Sequence, residues 1–226
     1  MIYYDLHSHR SSQQAEDVTI VSVDLCDQSS LLSVGIKNIH TGYYSAGVHP
    51  WYIDKTLVHE VRKLALLPSV VAIGETGLDK ITAAGMDDFK LQQELFIEHI
   101  ALSEKVKKPL IIHCVKAWDE LLHIRKTTKP VMPWIIHGFR SKATLAGQLL
   151  NAGIYLSFGA LYNVDSLKAA WEKRLLLAET DEARIDIRDI YARIANKLDI
   201  TVEDLSDEIG AFFIHKLLPP FEQNRR

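Results

Sequence analysis

Short apolar runs, each stopping at a polar residue, recur along this chain. Met1-Ile2-Tyr3-Tyr4 is the first, and it runs into Asp5-Leu6-His7-Ser8-His9. Similar runs fall at 18–23, 43–48, 70–74, 109–112, 133–136, 154–159 and 175–178. Each has the length and apolar character of a buried strand. The segments between them follow another rhythm. In 87–106, Phe89, Leu91, Leu95, Phe96, His99, Ile100 and Leu102 recur at intervals of three and four, the stripe of a helix packed on one face. Helices are also predicted at 55–67, 117–126, 142–151 and 164–173, with two more closing the chain at 186–198 and 201–217. Gly153 stands where a glycine ends the helix before it.

Strands alternating with helices predict an α/β fold, a TIM-type (β/α)8 barrel, in one domain spanning 1–226. The pattern is thinnest early. Only residues 10–17 separate the first two strands, and a parallel crossover needs about a dozen residues. A loop is therefore expected there, which truncates the first βα unit and distorts the barrel. The connection 25–42 reads equally as a helix or an extra strand.

Composition adds limits. With 47% hydrophobic and 24% charged residues the chain is of ordinary globular make-up. No apolar run is long enough to span a membrane, and the amino terminus is not signal-like. Two cysteines, Cys26 and Cys114, make no disulfide framework, so a cytoplasmic location is expected. A net charge of −3 provides no broad basic field, so an anionic substrate must be drawn locally. Nothing in the chain points to a protein partner.

The chemistry lies where the strands stop. His7 and His9 follow the first, Glu75 the fourth, His113 the fifth, His137 the sixth and Asp181 the eighth. Alternation along a strand puts His7 and His9 on one face. Asp5 shares that face and is expected to take a proton from a ring nitrogen of a ligand histidine. In a barrel the carboxyl ends of all strands lie together, so the six side chains are expected at one site. Nitrogen and oxygen ligands suit Zn, Mn, Ni, Fe or Mg. Six ligands are too many for one tetrahedral ion with an open position, so two divalent ions sharing a carboxylate are expected. Two such ions outweigh the charge of Glu75 and Asp181, which favours an anionic substrate such as a phosphate ester.

These residues form a recognisable series. Asp5-x-His7-x-His9, Gly47-Val48-His49-Pro50, Gly74-Glu75-x-Gly77-Leu78-Asp79, Pro109-x-Ile111-Ile112-His113, His137-x-Phe139 and Glu179-Thr180-Asp181 resemble the TatD family of metal-dependent deoxyribonucleases, within the amidohydrolase-like barrels. Gln92, Phe96 and the stretch from Ile190-Tyr191 to Leu205 are similar too. The resemblance implies that His7, His9, Glu75 and Asp181 hold one ion. It implies that Glu75 bridges to a second ion on His113 and His137, and that Asp181 orients or deprotonates the attacking water. The implied substrate is DNA, cut as a phosphodiester. The short first loop is expected to leave room for a strand end, so attack from termini is expected. The alternatives are another hydrolase of the superfamily, such as a lactonase, amidase or phosphomonoesterase, and a non-catalytic binding module. The chain departs from the family pattern at Val115, where an Arg often stands, and at Glu182-Ala183, where a Pro often follows the Glu-Thr-Asp element.

Other positions have weaker patterns. His49 is expected to line the site at a strand end, against the alternative of a rigid turn over a packed Trp51. Arg140 and Lys142 are candidates for a phosphate, or simply charged residues at a helix start. Cys114, Trp118, Trp134 and Trp171 are expected to serve packing.

Overall fold

The computed structural model describes residues 1–11, 14, 16–25 and 42–218. Each apolar run forms or leads into a strand: β1 Tyr4–Ser8, which shares only Tyr4 with its run, β2 Val18–Asp24, β3 Tyr43–Gly47, β4 Val70–Asp79, β5 Leu110–Val115, β6 Trp134–Ile136, β7 Tyr155–Phe158 and β8 Leu176–Ala178. They form one sheet in sequence order, and the recorded pairings are parallel. A further parallel bridge joins Ser8 to Asp181, just past β8, so the last strand returns to the first. This is the predicted (β/α)8 barrel class.

The helices fall where the stripes placed them. Lys55–Leu57 is a 3-10 turn leading into Val58–Leu64, and the long stripe is Met86–Val106. Trp118–Thr128, Ala143–Asn151, Val164–Glu172, Ile187–Leu198 and Val202–Phe212 follow, the last running on through a wider turn at Phe213–Leu217. Gly153 adopts φ 69°, as a residue ending a helix does. Of residues 10–17, those described are bends, turns or irregular, and none is helical; 12, 13 and 15 lie outside the described residues. The ambiguous connection 25–42 lies outside them as well, except at its two ends.

The chain divides into two compact units. One joins Met1–Val21 to Ile135–Arg226. In it the closing helices hold β1: the Tyr191 hydroxyl donates to Tyr4 O at 2.9 Å, and Ser206 Oγ donates to Ile2 O at 2.6 Å. The other unit is Ser22–Trp134. Its core sets the long helix on β4 and β5, with the Phe96 and Trp134 rings 5.3 Å apart. His99, from the apolar stripe, is fully buried there as a structural residue. Its Nδ1–H donates to Leu95 O at 2.7 Å, and its Nε2 accepts the Val48 N–H at 3.2 Å. Of the tryptophans expected to pack, Trp134 is buried and Trp118 and Trp171 are half-buried. Cys114 is buried, and burial pushes its thiol well above its ordinary pKa.

Candidate metal centre

In the first unit the seam between β1 and β8 sets the geometry. Asp181 N–H donates to His7 O at 2.8 Å, and His9 N–H donates to Asp181 O at 3.4 Å. Asp181 has φ 53°, so the backbone turns off the ladder at this residue. Its Oδ1 lies 3.7 Å from His7 Nε2 and 3.6 Å from His9 Nε2. His137, just after β6, brings its ring to 4.4 Å from that of His7. Ligand atoms of His7, His137 and Asp181 all fall within 4.8 Å of one another. Behind them Glu179 is fully buried, accepts the Gly138 N–H at 2.5 Å and lies 3.7 Å from His137 Nδ1.

Asp5 does other work than expected. Its oxygens accept from Thr180 N at 2.9 Å and Thr180 Oγ1 at 2.6 Å, so it ties β1 to the end of β8. Burial pushes its carboxyl up to about 7, against the lowering effect of these bonds.

In the second unit β4 continues beyond the predicted run, through Glu75 to Asp79. The glycines of the motif permit this. A Cβ on Gly77 would stand 2.0 Å from His113 O, and one on Gly47 would stand 2.4 Å from Glu75 O. Only bare backbone fits, and it brings the neighbouring strands close at the ligands. Glu75 is buried, with Oε1 3.0 Å from both His113 Nδ1 and His49 Nε2. Asp79 Oδ2 accepts from Trp51 Nε1 at 2.8 Å and lies 3.1 Å from His113 Nε2. Its Oδ1 accepts the N–H groups of Ile81 and Thr82. Burial alone would raise the Asp79 carboxyl, but the donors on it, Trp51 and His113 first, hold it below the usual range. Gln92 braces the same region, donating to Pro50 O at 3.0 Å and accepting the Asp79 N–H at 2.8 Å.

These contacts fix which ring nitrogens carry hydrogen. An ionised Asp79 can only accept, so His113 holds its proton on Nε2. In the neutral ring His113 Nδ1 then points a lone pair at Glu75 Oε1. Two lone pairs 3.0 Å apart repel unless a proton or cation lies between them. The Trp51 N–H donates to His49 Nδ1 at 3.2 Å, so the hydrogen of His49 sits on Nε2 and goes to Glu75. His49 is thus a donor that orients Glu75, held in a turn by the Trp51 N–H.

The donor set fits a metal. Nitrogen and oxygen atoms about 2.0–2.2 Å from one ion lie roughly 3–3.5 Å from each other. The carboxylate–imidazole distances of 3.0 Å in the second unit and 3.6–3.7 Å in the first are close to that spacing. His7, His9, His137 and Asp181 are gathered in one unit, and Glu75, His113 and His49 in the other. Arg140 and Lys142 are exposed, with Lys142 at the cap of the helix Ala143–Asn151. The expected packed Trp51 is instead 55% exposed. Asp79, bonded to His113, and Glu179, 3.7 Å from His137 Nδ1, were missed in the sequence. Both stand in quoted motifs, and alternation places Asp79 on the same strand face as Glu75, four residues on.

Residues 5–207 match the family model described as TatD related DNase. An uncharacterised metal-dependent hydrolase of Escherichia coli, YcfH, is 36% identical over 61% of this chain and 54% of its own length. YabD of Bacillus subtilis, also described as an uncharacterised metal-dependent hydrolase, is 28% identical over 79% of each chain. A Klebsiella pneumoniae protein named 3′-5′ ssDNA/RNA exonuclease TatD is 29% identical over 70% of this chain and 64% of its own. The matches to the first of these curated relatives span about half of their length. Among solved structures, YJJV, a TatD homologue of Escherichia coli, has TM-score 0.80 at 19% identity, covering 96% of this chain and 98% of that one. A TatD-family hydrolase of Entamoeba histolytica has TM-score 0.75 at 16% identity, with the same coverage. These two share the barrel fold. By the match over residues 5–207, which takes in every proposed ligand, this chain belongs to the TatD-related DNase family.

Proposed function

We propose that this protein is a metal-dependent hydrolase that cleaves phosphodiester bonds in DNA with water. The observation that carries the reading is the pair of imidazole–carboxylate sets, each at metal-ligand spacing and each on or just past barrel strands. Family membership and the exonuclease name of the Klebsiella relative support the substrate class. The proposed ligands are His7, His9, Glu75, His113, His137 and Asp181. When bound, two divalent ions (Mg, Mn, Zn or Ni) would make hydroxide available near neutral pH and offset phosphodiester charge.

The chain's own groups do the rest. Asp181, beside His7 and His9, orients the attacking water and takes its proton. Asp79 and Glu179 hold the rings of His113 and His137. His49 keeps Glu75 aimed and lines the place for the scissile group. Arg140 and Lys142 supply exposed positive charge for flanking phosphates. Entry from a strand terminus fits the truncated first βα connection.

The test is a labelled single-stranded oligonucleotide incubated with Mg, Mn or Zn, beside the same strand with blocked ends. Cleavage that needs added metal, stops with chelator and spares the blocked strand is expected. Asp181→Asn, nearly isosteric, should keep the fold and lose about 10²–10⁴-fold in rate, since an amide binds metal poorly and cannot take a proton. Turnover of a lactone or phosphomonoester with no cleavage of DNA would move the protein to another hydrolase class.

A further inference from the structure

Trp51 and Tyr52 are large apolar side chains left open to solvent, 55% and 46% exposed. Scattered exposed aromatics are ordinary. These two differ in how they are held. The Trp51 indole N–H donates to Asp79 Oδ2 at 2.8 Å, and its backbone N–H donates to His49 Nδ1 at 3.2 Å. Its ring meets the His49 ring at 83°, with centroids 4.8 Å apart. The Tyr52 N–H donates to His49 O at 3.0 Å, and the Asp54 N–H donates to Tyr52 O at 2.9 Å. Gln92 fixes the preceding Pro50 carbonyl. The turn is tied from His49 through Tyr52, yet Trp51 and Tyr52 keep 55% and 46% of their surface exposed.

The position is as informative as the exposure. The Asp79 oxygen that holds the indole also faces His113 Nε2, and the Trp51 and His113 ring centroids are 6.0 Å apart. A rigid aromatic surface therefore stands one side chain away from a proposed metal ligand. In a nucleotide the base stands one sugar away from the phosphate. An exposed ring that is already fixed loses little freedom when a flat ligand stacks on it.

We propose that Trp51, with Tyr52 beside it, is a stacking platform for a nucleobase of the strand whose phosphate is held at the metal centre. The proposal rests on the nucleic-acid reading given above and adds a subsite to it. Stacking uses the face of the base, so the platform accepts any of the four bases and gives affinity without sequence choice.

The test measures binding of short, nuclease-resistant phosphorothioate strands in the presence of Mn at fixed salt. One strand carries bases throughout, and the other has abasic sugars along the same backbone. Trp51→Ala should weaken the base-bearing strand about 5- to 100-fold and leave the abasic strand within about twofold. Trp51→Phe, which keeps a ring and loses the indole N–H, should keep most of the difference between the two strands. Metal content of both variants is measured alongside, because Trp51 shares Asp79 with His113. Equal losses on the two strands, or no loss on either, would overturn the platform while leaving a DNA-binding protein. Failure of the unaltered protein to bind or cut any strand would remove the nucleic-acid reading and the platform with it.

Discussion

At the scale of single residues, the side chains that hold ligands matter as much as the ligands. Asp79 accepts four N–H groups, one of them from His113, and so decides which nitrogen of that ring can face a cation. Asp79→Ala should weaken metal binding about 10- to 100-fold, the usual effect of losing such a support. Calorimetric metal titration gives the affinity. ¹⁵N spectra of the metal-free protein should show His113 leaving the Nε2–H form, and an unchanged tautomer would reduce Asp79 to a structural turn residue. The ligand types were legible in the sequence because His and carboxylate at strand ends are unusual together. Their supports were not, because a hydrogen bond from His113 to Asp79 depends on strand pairing rather than spacing. His99 makes the opposite lesson: it sat in an apolar stripe and is apolar in effect. Burial holds its pKa at about 4, below the ordinary 6.5. The folded state thus favours the neutral ring, so this contribution is complete above about pH 6.5 and is lost as pH falls toward 4. Urea titrations should show roughly 3 kcal/mol less stability from this residue across that window. The comparison variant is His99→Gln, whose curve should be flatter by that amount; parallel curves would mean that the ring takes a proton freely in the fold.

Among the elements, β4 does most to build the site, and it was the strand most shortened in the sequence reading. Its apolar run stops at Gly74, where a polar motif begins, and polarity normally ends a buried strand. Here the polar side chains are buried because they face ligands and hydrogen-bond donors, and the strand continues to Asp79. β1 and β5 likewise run past their apolar stretches into His7 and His113, while β3, β6, β7 and β8 stay within theirs, having only the core to face. Gly77 carries the difference. It has φ 146°, and any Cβ there would meet the His113 carbonyl at 2.0 Å. Gly77→Ala should separate β4 from β5, with a stability loss above about 3 kcal/mol or no soluble protein. Gly85→Ala is the control, since nothing lies within 4 Å of a Cβ at that position. Its denaturation midpoint should stay near that of the unaltered chain, and equal tolerance of both substitutions would show that the motif glycine is not set by close approach.

For the whole molecule, the alternation of strands and helices made the barrel class legible, because each parallel crossover leaves its own long stripe. Residues 10–17 are too short for such a crossover, and none of those described is helical. Two compact units each carry a carboxylate flanked by imidazoles, a division that no run of sequence announces, since one unit is built from both ends of the chain. Within the first unit, His137 stands beside His7 and Asp181. The family resemblance implies that Glu75 is common to two ions, which we propose, and metal counting tests that directly. Glu75→Ala should lose both ions after dialysis against trace metal, because each would give up a charged oxygen ligand that water replaces poorly. His113→Ala should lose one and keep the ion on His7, His9 and Asp181, whose nitrogen and oxygen donors it does not touch. Metal analysis by mass spectrometry gives the count, and the melting temperature of each metal-free variant checks that the fold survived. Two ions retained by folded Glu75→Ala protein would show that this carboxylate serves neither ion indispensably. One ion retained would show that Glu75 serves a single ion and does not bridge.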